Sequence, residues 1–104
     1  MSTIEKLAAT IAVRASASTD SSYTAKLLSA GIEKCAKKFG EEAVELALAA
    51  VSKDKTHTTN EAADVIYHLL VLLQSAGVSL SEVEAVLASR ENMSGLEEKA
   101  RRNG

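Results

Sequence analysis

The sequence predicts an all-α protein, a helical bundle of about five helices in one domain spanning residues 1–104. Three observations carry that expectation. No proline and only five glycines interrupt the 104 residues. The hydrophobic share is 46% but the aromatic share only 3%, with alanine, leucine and valine supplying most of it, a balance that suits helices better than sheets. Apolar positions also recur at three- and four-residue spacing along several segments.

The first of these segments covers residues 3–15, with Ile4, Leu7, Ala8, Ile11 and Ala12 on one face and Ser2 or Thr3 placed to cap it. ASASTDSS, residues 15–22, is a polar stretch expected to be a flexible linker. Ser22 then caps a short helix, Tyr23 to Ala30, stopped by Gly31. A long helix follows from about Ile32 to Val51. Gly40 lies inside it at a cost of about 1 kcal/mol relative to alanine, which calls for a reason such as close approach of a substrate or a neighbouring helix. SKDKTH, residues 52–57, is expected to be a loop, and the fourth helix to run from about Thr59 to Ala76 and end at Gly77. Thr58 would be its N-cap, with Glu61 closing a T-x-x-E capping box. Ser79 and Glu82 form a second such box, opening a fifth helix to about Arg90. Residues 92–104 are expected to be a partly frayed tail. Two long helices joined by a short loop should pack antiparallel and form the core.

Composition narrows the function. The net charge of -2 lacks the basic excess of a nucleic-acid binder. The apolar run Leu69 to Leu73 is far too short to span a membrane. The opening MSTIEKLAATIAVR has no basic segment followed by an apolar one, so it does not resemble a secretory signal. Cys35 has no intrachain disulfide partner. A cytoplasmic setting is the expectation.

The acids narrow it further. Lys34, Lys38, Glu41, Glu42 and Glu45 share one face of the third helix, opposite Ala36, Phe39, Ala43, Leu46, Ala47 and Ala50. Alone, that face reads as solvated, with Lys38 and Glu42 paired at i, i+4. In the fourth helix Glu61, Asp64 and His68 share a face flanked by Val65 and Leu72, on a segment apolar almost all round. Singly, the capping box explains Glu61 and the helix dipole explains Asp64. Together, Glu42-x-x-Glu45 faces Glu61-x-x-Asp64 across an antiparallel pair, and four like charges at one crossing call for a cation. The ligands are all hard oxygens, so Mg²⁺ or Mn²⁺ is expected rather than zinc. A di-iron bundle wants Glu-x-x-His, whereas His68 follows Asp64 by four residues. His68 itself reads as a satisfied core histidine or a partner of Asp64, and Cys35 as a small core or boundary residue.

The pattern E-x-x-E, fifteen residues, E-x-x-D resembles the all-α nucleoside triphosphate pyrophosphatases, the MazG-like enzymes. With SYTAKLL, EKCAKKFGEEAVE, EAADVIYHLLVLL and SGLEEKA in order from about Ser22 to Arg102, it is most similar to the phosphoribosyl-ATP pyrophosphohydrolases of histidine biosynthesis. That resemblance implies Mg²⁺-dependent hydrolysis between the α and β phosphates of phosphoribosyl-ATP. The stand-alone form is implied too, since a fused cyclohydrolase would not fit this length. By position, Glu42, Glu45, Glu61 and Asp64 match the family's metal-binding acids. Glu41 matches the first acid of its E-E-x-x-E, Lys38 the lysine two residues before its glycine, and Tyr23 and Lys26 its N-terminal motif.

Catalysis at a phosphoanhydride is mostly positioning and charge stabilisation. Glu41, one turn from Glu45, is the candidate base, though any of the four other acids could serve. Lys38 is the candidate contact to a phosphate or to the leaving pyrophosphate, and Lys34 and Lys37 read as solvated. The girdle from Val65 to Leu73 exceeds what one small bundle should cover, so a homodimer is expected. Two rival functions share these features: a house-cleaning nucleoside triphosphate pyrophosphatase, and a non-catalytic helical dimerisation module whose acids merely pair with Lys34 and Lys38.

Overall fold

The computed structural model describes residues 1–91; the expected tail and the SGLEEKA stretch lie outside them. The described residues form five α-helices and no strand: α1 (Thr3–Arg14), α2 (Tyr23–Ala30), α3 (Ile32–Val51), α4 (Lys55–Ala76) and α5 (Leu80–Ser89). Ser2 and Glu5 close a capping box on α1, each side chain accepting the other's backbone N–H at 3.1 Å. Ser22 Oγ accepts the Ala25 N–H at 3.1 Å to start α2. Gly31, at φ 100°, ends α2 and opens α3 without an intervening loop, a left-handed conformation that side-chain-bearing residues avoid. The Ser79–Glu82 box caps α5 as expected, again at 3.1 Å both ways. Residues 15–22 fold into turns, with Ala17 N–H donating to Arg14 O at 3.0 Å and Ser21 N–H to Ser18 O at 3.2 Å.

The start of α4 differs from the expectation. Asp54, not Thr58, is the N-cap, its carboxylate accepting the His57 N–H at 3.0 Å. Thr58 instead bonds back within the helix, its Oγ1 donating to Asp54 O at 2.7 Å. Asp54 is as good a cap as any residue in the segment, and the polar run after it suits an exposed first turn. Residues 55–58 therefore extend the helix, and Glu61 belongs to no capping box. Asp64 accordingly sits in the third turn, beyond the reach of the N-terminal dipole.

α3 and α4 form the principal helix pair, and their register shows them to be antiparallel. Glu45 acts on Glu61 near the connecting turn, whereas Cys35, at the far end of α3, clusters with Leu70 and Val71 of α4. The α3 seam facing α4 reads Cys35, Phe39, Glu42, Leu46 and Ala49, all buried or half-buried. On α4 the matching set is Glu61, Val65, His68, Leu72 and Ser75, again none exposed. Both sets follow the alternating spacing of four and three residues that keeps a seam on one side of a helix. The apolar arc of α3 is thus rotated from the expected one: Ala36, Ala47 and Ala50 are exposed, and Glu42 lies on the packed side.

The deepest cluster joins Ile11 of α1, Leu27 of α2, Cys35 of α3, and Leu70 and Val71 of α4. Cys35 is a core residue, its Sγ donating to Leu27 O at 3.3 Å. α1 and α2 cover the side of α4 that α3 leaves open, so no residue from Val65 to Leu73 is exposed. The expected surplus of apolar surface on α4 is therefore absent. It lies on the outer face of α3 instead, where Val44, Leu48 and Val51 are 60%, 65% and 78% exposed. α5 turns away from α4 at 107°, and among the described residues no single helix is long and apolar enough to cross a membrane.

Gly40 is exposed, and a Cβ added there would meet nothing within 4 Å. No neighbouring helix among the described residues requires it. Gly40→Ala is expected to raise stability by about 1 kcal/mol, seen as a rise in Tm of about 4–8 °C by calorimetry. A fall in Tm would show that another surface lies against that backbone.

Candidate metal centre

The α3–α4 seam explains how carboxylates come together in a helical core. Glu42 and Glu61 are the seam members of their E-x-x-E and E-x-x-D pairs, and Glu45 and Asp64, three residues on, flank the seam. Carboxylate oxygens of Glu42, Glu45 and Glu61 lie within 4.8 Å of one another. Asp64 is exposed and outside that group, although its charge still reaches Glu61. The sequence placed Asp64 on a buried stripe; lying off the seam, it faces solvent.

Glu61 bears the strain of this arrangement. Its side chain is 14% exposed, and Oε2 is buried without a hydrogen-bond partner among the described residues. Its pKa is pushed above the ordinary carboxylate value by burial first, then by the charge of Glu45, by Glu42 as hydrogen-bond partner and as like charge, and by Asp64. An ionised carboxylate buried among like charges calls for a cation. A hard divalent ion fits this all-oxygen donor set. His57, which sequence reasoning missed, brings Nε2 within 3.6 Å of Glu61 Oε1. Its i, i+4 spacing to Glu61 was the available signal, hidden by the assignment of residues 52–57 to a loop.

His68 is buried as expected, but it is not satisfied: Nδ1 has no hydrogen-bond partner among the described residues. Burial is the main cause of its lowered pKa, opposed by the charge of Glu42 and assisted by that of Lys38. The imidazole is therefore neutral at pH 7. Its ring packs edge-on against Tyr67, with centroids 5.0 Å apart, and Tyr67 Oη is hydrogen-bonded to Thr24 Oγ1 of α2 at 2.6 Å. This ties the SYTAKLL segment to α4 beside the acids.

Lys38 pairs with Glu41 at 3.5 Å rather than with Glu42. Glu41 is exposed and stands outside the converging trio. Among the described residues neither Glu42 nor Glu45 has a lysine or arginine within 4.0 Å, so the trio is not a set of plain ion pairs. An open groove of about 520 Å³ runs past Lys38, Glu41, Glu42, Val44, Glu45 and Leu48. A second, of about 370 Å³, is lined by Tyr23, Lys26, Leu27, Ala30, Lys34 and Lys38. Lys38 belongs to both. A further cleft of about 290 Å³, between α1, the end of α4 and the start of α5, shares no residue with the acidic trio.

The family model described as phosphoribosyl-ATP pyrophosphohydrolase matches residues 4–91. The chain is 61% identical over 100 residues to phosphoribosyl-ATP pyrophosphatase 1 of Rhodopseudomonas palustris, covering 96% of this chain and 94% of that one. It is 59% identical to phosphoribosyl-ATP pyrophosphatase 1 of Bradyrhizobium diazoefficiens over the same shares. To the phosphoribosyl-ATP pyrophosphatase of Cereibacter sphaeroides it is 57% identical over 98% of this chain and 99% of the relative. With the match extending over both helices that build the acidic seam, this chain belongs to the phosphoribosyl-ATP pyrophosphohydrolase family.

Proposed function

We propose that this protein hydrolyses phosphoribosyl-ATP to phosphoribosyl-AMP and pyrophosphate, the second step of histidine biosynthesis, with Mg²⁺ as its ion. The observation that carries the reading is the convergence of Glu42, Glu45 and Glu61 on a seam where, among the described residues, no lysine or arginine pairs with them. These three would hold the ion, with Asp64 one turn beyond Glu61. When bound, Mg²⁺ supplies neutralisation of the phosphate oxygens. Water attacks phosphorus, the bond to the bridging oxygen between the α and β phosphates breaks, and pyrophosphate leaves. Glu41, exposed at the groove, would take the proton from that water. Lys38, shared by the two grooves, would meet the β and γ phosphates as charge builds on them. Neutral His68 keeps the seam beside Glu42 free of a further charge.

A homodimer is part of this reading. Val44 and Leu48 line the same groove as Glu41, Glu42 and Glu45, so a second chain seated on the exposed stripe of α3 would also wall the site. A nucleotide substrate and a free thiol at Cys35 are in keeping with a cytoplasmic enzyme.

The test is pyrophosphate release from phosphoribosyl-ATP, ATP and dUTP, each with and without Mg²⁺. Release from phosphoribosyl-ATP alone, and only with the ion, is the expected result. Comparable release from ATP or dUTP would instead make this a general nucleotide-clearing enzyme. Silence on all three would leave a helical dimerisation module.

A further inference from the structure

We infer that the lysine-lined groove between α2 and α3 is a subsite for a phosphate monoester on the far side of the nucleotide base. It would thus select a phosphoribosylated nucleotide over a plain one. The inference rests on reading the acidic trio as the centre that binds the triphosphate.

Among the described residues, every charged one lining this groove is a lysine: Lys26, Lys34 and Lys38. Lys38 is engaged by Glu41 at 3.5 Å. Lys26 and Lys34 are exposed, and among the described residues neither has an acid within 4.0 Å. The chain has 14 acidic and 12 basic residues, so acids are plentiful, yet none of those among the described residues lines this groove. Three ammonium groups around one depression repel one another, and an anion relieves that repulsion.

Position decides which anion. Lys34, Lys38 and Glu42 follow one another at four-residue intervals along α3, which puts Lys38 about 6 Å and Lys34 about 12 Å from Glu42 along the helix axis. The β and γ phosphates are bonded in series to the phosphate at the acids, so the nearer lysine serves them. A phosphate at the farther lysines must belong to another part of the ligand. Phosphoribosyl-ATP has one, separated from its triphosphate by a ribose, the purine and a second ribose. The surface between is suited to rings: Tyr23 is 56% exposed and shares the groove with Leu27 and Ala30. An exposed aromatic face stacks on a base without regard to its polar edge. Lys34 is therefore a binding residue rather than part of a solvated face, while Lys37 does not line the groove.

The test compares phosphoribosyl-AMP with AMP by titration calorimetry in Mg²⁺, alongside steady-state kinetics on phosphoribosyl-ATP. Wild type should bind phosphoribosyl-AMP about ten-fold or more tighter than AMP, the worth of one or two charge-assisted hydrogen bonds. Lys26→Ala/Lys34→Ala should abolish that preference, leave AMP affinity unchanged, and raise KM about ten-fold or more with kcat nearly constant. Lys34→Arg should retain most of the preference, and Lys37→Ala all of it. Equal weakening of both ligands, a fall in kcat at constant KM, or no change in either would overturn the assignment. The binding arm is independent of turnover. If wild type released no pyrophosphate yet showed the preference and lost it in the double variant, the subsite would stand and the catalytic reading would fall.

Discussion

Glu61→Gln is expected to lower kcat/KM for phosphoribosyl-ATP by at least about 10²-fold, as loss of a principal electrostatic group does, while making the metal-free protein more stable. The two effects share one origin. Glu61 is nearly buried, has an unpartnered oxygen and faces Glu42, Glu45 and Asp64. Its charge opposes folding unless a cation is present, and glutamine keeps the shape without the charge. The pH dependence follows from the raised pKa. Between the unfolded value near 4.5 and the higher folded one, the native state binds more protons than the unfolded chain, so stability falls as pH rises. Metal-free wild type should therefore lag the variant most at neutral pH. It should close the gap as pH drops through the folded pKa toward 4.5. Mg²⁺ should reverse the order. At a hundred times Kd, binding adds about 2.7 kcal/mol, which is about 10–20 °C of Tm in a domain of this size. Glu61→Gln should show little of that rise. Thermal melts at pH 5 and 7.5, with EDTA and with Mg²⁺, check all of this. A metal-free variant less stable than wild type, or one still shifted fully by Mg²⁺, would exclude Glu61 from the ion's site.

The parts of this molecule written in local chemistry were legible from the sequence. Ser2, Ser22 and the Ser79–Glu82 pair announce helix starts because a side-chain oxygen three residues ahead of a free N–H is a short-range signal. Gly31 and Gly77 announce ends for the same reason, through their own backbone angles of 100° and 74°. What required the third dimension was rotation about a helix axis. The third-helix wheel suggested an apolar arc through Ala36, Phe39, Ala43, Leu46, Ala47 and Ala50, and packing instead buried the one containing Cys35, Phe39, Leu46 and Ala49. That choice moved Glu42 from a solvated strip into the seam and left Asp64 outside it. It also placed the unpartnered apolar surface on α3 rather than α4, because α1 and α2 already cover the girdle from Val65 to Leu73. The lysines of the α2–α3 groove were invisible for a related reason. Lys26 and Lys34 are eight residues apart across a glycine break, and only the turn at Gly31 sets them around one depression.

Leu48→Lys/Val51→Lys should convert a dimer into a monomer and cost about ten-fold or more in kcat/KM, the equivalent of losing one interfacial anchor. Within a single chain these substitutions should be almost without effect. Both residues project into solvent, at 65% and 78% exposure, where exchanges usually change stability by no more than about 0.5 kcal/mol. Val51 is the last residue of α3, and a cation there is favoured by the helix dipole. A helix left to itself would tolerate or welcome the change. In a dimer built on Val44, Leu48 and Val51, the same two lysines bring four like charges into an apolar contact whose two halves are the same surface. The site should feel that loss because Leu48 lines the grooves on both sides of Glu45. Sedimentation velocity at micromolar protein, with circular dichroism to verify helix content, separates assembly from folding. Wild type sedimenting as a monomer with full activity would show that the exposed stripe needs no second chain. A variant that stays dimeric would place the interface elsewhere, with α5 and its exposed Val86 and Leu87 the next surface to probe.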